Sequence, residues 1–146
     1  MKPIVRSYLA EVNLGNSAPG QGQNINIQDY PQLRDIMLTG VEVLFDDNIE
    51  VSPSGKVVVD RLTGITLTLL DKFNMEILYQ YPTYDLNPSL NGGFYRDFVP
   101  FQLQLTKSYI SILDTNGLNA NESVVINFLY VPLKDWNKYK QFYGIR

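Results

Sequence analysis

The sequence predicts an all-β chain folded as one antiparallel β-sandwich, on three observations. Short blocks of strict apolar and polar alternation recur along the chain with turn residues between them, which is the period of a half-buried strand. Their number, about eight or nine, suits a two-layer sandwich or a barrel better than an open sheet. Helical signals are confined to one short turn and a C-terminal segment.

The elements follow in order. "SYLAEVNL" places Tyr8, Ala10, Val12 and Leu14 on one face, and "QNINIQ" does the same for Ile25 and Ile27. Between them "GNSAPGQGQN", residues 15–24, is small and polar and reads as a flexible loop. "DYPQLRDIM" suggests a single helical turn over 33–36, followed by "GVEVLF" with Val41, Val43 and Phe45 in phase and by the β-branched run "KVVVD" behind "SPSG". The clearest unit is "GITLTLLDKFNMEILYQY". Ile65, Leu67 and Leu69 alternate with Thr66 and Thr68, the polar step 71–74 turns the chain, and Ile77, Tyr79 and Tyr81 alternate with Leu78 and Gln80 on the return, which predicts a hairpin.

"LNPSLNGGFYRDFVPF", residues 86–101, reads as a shaped crossover. Its prolines hold the residues before them extended, Gly92-Gly93 permits a reversal, and the next strand is expected to begin near Phe101. "FQLQLT" then turns Phe101, Leu103 and Leu105 inward, "SYISIL" sets Ile110 and Ile112 opposite Ser111, "DTNGLNANE" turns, and "SVVINFLYV" is a nearly continuous apolar strand. After Pro132 comes an extended tail holding a short helix, in which Trp136, Tyr139 and Tyr143 fall at i, i+3 and i+7 as an aromatic stripe. With no repeat and no linker, residues 1–146 form one domain.

Composition removes whole classes of chemistry. The chain has no cysteine and no histidine, so disulfides, thiolate and imidazole catalysis and the usual zinc sites are excluded. Twelve basic against fifteen acidic residues give a net charge of −3, so no specific nucleic-acid binding is expected. Lys134, Lys138, Lys140 and Arg146 make only the tail locally basic; it is the one segment offered for membrane contact, and a solvated helix face accounts for it equally. No signal peptide and no membrane span is seen, which predicts a protein made in the cytoplasm.

The candidate motifs fail on their templates. "GQGQNI" lacks the third glycine and the helix of a dinucleotide fingerprint. Asp114, Asn116, Asn119, Asn121 and Glu122 resemble calcium ligands, yet Gly117 is misplaced for an EF-hand and Asx turns explain the loop. Asp46, Asp47 and Glu50 read as a solvated turn, and no spacing singles out a carboxylate pair of the glycosidase kind. The chain is therefore expected not to be an enzyme, with no catalytic, metal-ligating or cofactor-binding residue and no cofactor.

What remains is aromatic. Tyr84, Phe94, Tyr95, Phe98, Trp136, Tyr139 and Tyr143, with Arg96, are the candidate interface residues, because rigid amphipathic rings anchor protein contacts and charges line their rims. Phe94, Tyr95 and Phe98 are expected to be buried against the sandwich or a neighbouring subunit, with Arg96 and Asp97 at the rim. The alternative is a carbohydrate- or receptor-binding module of a fibre or spike, whose tyrosine faces stack on pyranose rings.

The segments "YDLNPSLNGGFYRDFVPFQLQLTKSYISI" and "NESVVINFLYV", with the polar surface and proline-punctuated connectors around them, resemble small jelly-roll virion proteins of bacteriophages, including the single jelly rolls at the vertices of tailless icosahedral particles. The resemblance spans about residues 36–131. It implies a jelly-roll sandwich, a minor capsid or penton role in the virion, and assembly contacts with copies of itself and with a major capsid protein. No single residue carries over from it.

Overall fold

The computed structural model describes residues 5–13, 23–44, 64–87, 96–113 and 123–144. Within them the alternating blocks become β1 (Arg6–Asn13), β2 (Gln23–Asn26), β3 (Ile36–Leu44), β4 (Ile65–Leu70), β5 (Glu76–Pro82), β6 (Arg96–Gln102), β7 (Tyr109–Ile112) and β8 (Ser123–Pro132), followed by helix α1 (Trp136–Tyr143). They pair as a nested ribbon, all antiparallel: β1 with β8, β2 with β7, β3 with β6, and β4 with β5. The ribbon doubles over, so that β8 also pairs with β3 and β7 with β4. Two four-stranded sheets result, ordered β1-β8-β3-β6 and β2-β7-β4-β5.

The inward faces of the two sheets share one core. Ala10 and Val12, Ile36, Leu38, Val41 and Val43, and Val124, Ile126 and Phe128 from the first sheet meet Ile65, Leu67, Leu69, Leu78, Ile110 and Ile112 from the second. Fully burying each Val, Leu, Ile or Phe contributes about 1.5–3 kcal/mol, and this contact makes the two sheets a sandwich. β8 is nearly continuously apolar, and much of its second face is covered too: Val125 and Val131 are fully buried although neither belongs to that core.

Three elements differ from the sequence reading. The helical turn expected over 33–36 is a 3-10 turn at Pro31–Leu33, and β3 already begins at Ile36. Proline at its first position presets the turn's φ, and Tyr30 ties it to β1 by packing its ring at a tilt of 53° against Tyr8 and donating its hydroxyl to the Glu11 carbonyl at 3.2 Å. Of the loop expected over 15–24, residues 15–22 lie outside the described residues, and Gln23 and Asn24 already belong to β2. β6 starts at Arg96, five residues before the expected Phe101, so the crossover is shorter than its sequence suggests. Pro100 is tolerated there because β6 is an edge strand.

Bulges account for the remaining phase errors. Along β3 the register steps from Leu38↔Tyr130 to Gly40↔Leu129, leaving Thr39 as an extra residue whose hydroxyl donates to the Leu129 carbonyl at 3.1 Å. Ile36 and Leu38 before it and Val41 and Val43 after it therefore all face the core. In β5 the expected in-phase set Ile77, Tyr79 and Tyr81 is broken: Leu78 is buried, Tyr81 packs on the core, and Ile77 and Tyr79 are exposed. Its register against β4 shifts twice, between Leu67/Leu69 and Leu69/Leu70, and Gln80 takes φ 44°.

Side chains and backbone bonds fix the passages between the sheets. After β5 the chain turns through a 3-10 segment, Thr83–Leu86, in which the buried Thr83 hydroxyl donates to the Ile65 carbonyl at 2.9 Å. Among the described residues β6 pairs with β3 from Met37 to Val41, and Asn87 Nδ2 donates to the Val43 carbonyl at 2.9 Å. After β6, Leu103 bridges to Asp71, while Lys72 N–H donates to the Gln102 carbonyl and Gln104 N–H to the Leu70 carbonyl. The same strand end thus belongs to both sheets. Asn87→Ala should destabilise the fold by about 1–3 kcal/mol, the cost of leaving a buried acceptor unanswered, read as a lower denaturant midpoint with an unchanged slope.

Candidate functional site

The β4–β5 turn is built by Asp71. Its carboxylate accepts from the backbone N–H of Phe73 at 2.9 Å and of Met75 at 3.0 Å, and Asn74 takes the left-handed φ of 63° that closes the loop. The Asp71 carboxylate is turned to the backbone and the Lys72 ammonium lies over the Phe73 ring, 5.1 Å from its centroid, and the turn's apolar residues are presented outward. Phe73 is 72% exposed, Met75 63% and Tyr79 59%, and Ile77 continues the row at 37%. These four residues run from the hairpin tip along β5, the edge of the second sheet.

That edge is poorly suited to receive another strand. Two register shifts and the positive φ of Gln80 break the regular spacing of backbone donors and acceptors, and Gln80 N–H is occupied by the Thr68 hydroxyl at 3.0 Å. The surface on offer is one of side chains. An edge of the first sheet, β6, is irregular too: between the pairs Leu38↔Phe101 and Gly40↔Asp97, one residue of β3 stands opposite three of β6, and Val99 in that bulge is 86% exposed.

The predicted interface residues are distributed rather than gathered. Tyr84 lies on the crossover turn after β5 and is partly exposed. Arg96 and Phe98 take strand positions in β6. Trp136 and Tyr139 stack at the start of α1, ring centroids 5.3 Å apart and 17° from parallel, and Tyr143 ends the helix before the left-handed Gly144. Phe94 and Tyr95 lie outside the described residues, as do the turn at 46–50, the run at 56–60 and the calcium-like loop at 114–122. Sequence reasoning missed Phe73, which it read only as part of the polar step 71–74, and it gave Met75 no role. The signal that could have found them is two large apolar residues inside a loop whose Asp and Asn suffice to make it.

A second feature lies where the Pro31–Leu33 turn, the β4–β5 turn and the end of β6 meet. A cleft of about 300 Å³ is lined by Asp29, Arg34, Asp35, Lys72, Gln102 and Gln104 over leucine side chains. Arg34 donates to Asp29 through two nitrogens, Nε at 3.2 Å and one terminal nitrogen at 2.6 Å. The hydrogen bond from Arg34 holds the Asp29 carboxyl below the usual carboxylate range, and the same bond raises the guanidinium. Asp35 takes a left-handed φ of 51°.

Among the described residues no group of three or more acidic, histidine or cysteine side chains is placed to hold a metal ion, and no helix is long and apolar enough to cross a membrane. No family model, curated protein or solved structure matches the chain.

The sign of the Asp29 shift gives a test. A depressed folded value means that the pair's contribution is present above the ordinary aspartate range and is lost as pH falls through the lowered value. Carbon-detected NMR titration should show Asp29 protonating below the usual aspartate range, and Arg34→Ala should return it to that range.

Proposed function

We propose that the chain is a structural virion protein, a minor capsid or vertex component that acts by assembling with copies of itself and with other shell proteins. The carrying observation is the row Phe73, Met75, Ile77 and Tyr79, exposed along a sheet edge whose bulges discourage open-ended strand addition. An exposed apolar row of this kind marks a contact surface, and two aromatic rings in it are the residue types that dominate binding energy in protein interfaces.

The strand order supports the same reading. Nested antiparallel pairs doubled into β1-β8-β3-β6 and β2-β7-β4-β5 follow the arrangement of a jelly roll, an architecture used by viral capsid and lectin domains. Fold alone does not assign function, so the surface carries the argument. A stable protein contact buries about 800 Å² on each partner. The row supplies the centre of such a patch, and neighbouring side chains on β5 and the crossover turn supply its rim.

Size-exclusion chromatography with light scattering tests the assembly. The wild-type chain should run as an oligomer at micromolar concentration. Tyr79→Glu combined with Phe73→Ser should run as a monomer with an unchanged circular-dichroism spectrum, each truncated anchor costing about 2 kcal/mol or more of association free energy. A wild-type chain that stays monomeric at every concentration overturns self-assembly. The particle is the test of the virion role: the chain should be a stoichiometric component of purified virions, and its absence from them removes that role.

A further inference from the structure

We propose that the cleft between the Pro31–Leu33 turn, the β4–β5 turn and the end of β6 is a binding site for one neutral hexose unit of a glycan. The inference rests on the cleft alone and is independent of the assembly reading.

The walls are set by backbone bonds. Lys72 N–H to the Gln102 carbonyl at 3.0 Å, Gln104 N–H to the Leu70 carbonyl at 2.9 Å and the Asp71–Leu103 bridge lock one wall, and Leu33 N–H to the Tyr30 carbonyl at 2.9 Å locks the other. Arg34 and Asp29 hold each other at the rim. A site fixed in this way loses little conformational entropy when a ligand enters.

The lining selects the ligand. Two carboxylates, Asp29 and Asp35, are balanced by two cations, Arg34 and Lys72, so the cleft has no net charge to favour a phosphate or a metal ion. The Arg34–Asp29 pair satisfies one charge of each sign. Asp35 then offers an acceptor and the Gln102 and Gln104 amides offer both functions, while the Lys72 ammonium lies over the Phe73 ring, 5.1 Å from its centroid. Such a mixture suits vicinal hydroxyls, each of which gives and takes a hydrogen bond.

Leu33, Leu103 and Leu105 also line the cleft, but at 1%, 6% and 5% exposure they leave little apolar surface to a ring, so the polar groups carry the recognition. No aromatic side chain lines the cleft, which disfavours a stacked nucleobase. A volume of about 300 Å³ is at the lower end of the range for small-molecule sites and suits a single ring. Asp35 is held in the left-handed region that non-glycine residues seldom occupy, and backbone strain of that kind concentrates at ligand sites.

The experiment titrates nitrogen-15-labelled protein with methyl glycosides of neutral hexoses and N-acetylhexosamines to millimolar concentration, in parallel with a glycan array. At least one neutral glycoside should move the backbone amides of Arg34, Asp35, Lys72, Gln104 and Thr106. Asp35→Asn and Gln104→Ala should each weaken that binding about tenfold, the loss of one hydrogen bond to a ligand hydroxyl, with the melting temperature retained. Tyr79→Glu should bind as the wild type does, which separates this site from the β5 surface. A response on the array without one to free glycosides, abolished by the same two substitutions, assigns the site to the end of a longer glycan and supports the proposal. If no neutral glycoside or array glycan moves these amides, or if inorganic phosphate moves them and no sugar does, the proposal fails.

Discussion

The extra residue in β3 is the constraint on which the rest of the sandwich depends. β3 lies between β8 and β6 and supplies the core from both of its halves. Side chains alternate with a period of two, so without Thr39 the residues on one side of it would point away from the second sheet. The bulge keeps Ile36 and Leu38 in phase with Val41 and Val43, and the Thr39 hydroxyl answers the Leu129 carbonyl where the ladder is interrupted. The cost falls on the outer neighbour. β6 must accommodate the shift, and it does so with a larger bulge, an exposed Val99 and a proline that needs no partner.

Irregularity at both edges changes what the protein can do with its surface. A straight edge strand invites another strand, and sheet proteins commonly guard it with bulges and charges. Here β5 is guarded by geometry and left apolar in its side chains, so contact is separated from the backbone pairing that leads to open-ended growth. The neighbouring cleft is a by-product of the same end of the sandwich. Where the chain leaves the first sheet at Gln102 and is bonded at once to Leu70 and Lys72 of the second, two turns are brought side by side with polar residues on both.

Much of the fold was legible in the sequence, and the reasons for the failures are local. Alternation identified β1, β4 and β7 because their inward residues keep one period from end to end, as Ile65, Leu67 and Leu69 do, and a nearly continuous apolar run marked β8. It found Val41 and Val43 of β3 in their true phase but not the first half of that strand, and it lost the phase in β5, because a bulge inserts a residue without any distinctive sequence mark. It dated β6 too late because Pro100 reads as a connector when the strand's place at an edge is unknown. The helix was visible from Trp136, Tyr139 and Tyr143, which share a stripe. The cleft was not legible at all. Asp29, Lys72 and Gln104 are ordinary surface residues in sequence, and only the passage of the chain between sheets puts them around one space.

The nested pairing has a further consequence for how the molecule comes into being. β1 pairs with β8 along its whole length, from Arg6↔Tyr130 to Asn13↔Ser123, and has no other partner in its sheet. β8 is made long after β1, so on the ribosome β1 stays without this partner while the interior of the ribbon is synthesised. Among the described strands only β4 and β5 are both paired and consecutive, joined by the Asp71 turn. Contacts of such long sequence separation slow folding, and unpaired strands are exposed to wrong partners while they wait. The turn is thus the natural seed of the fold, and β1 and β8 meet last.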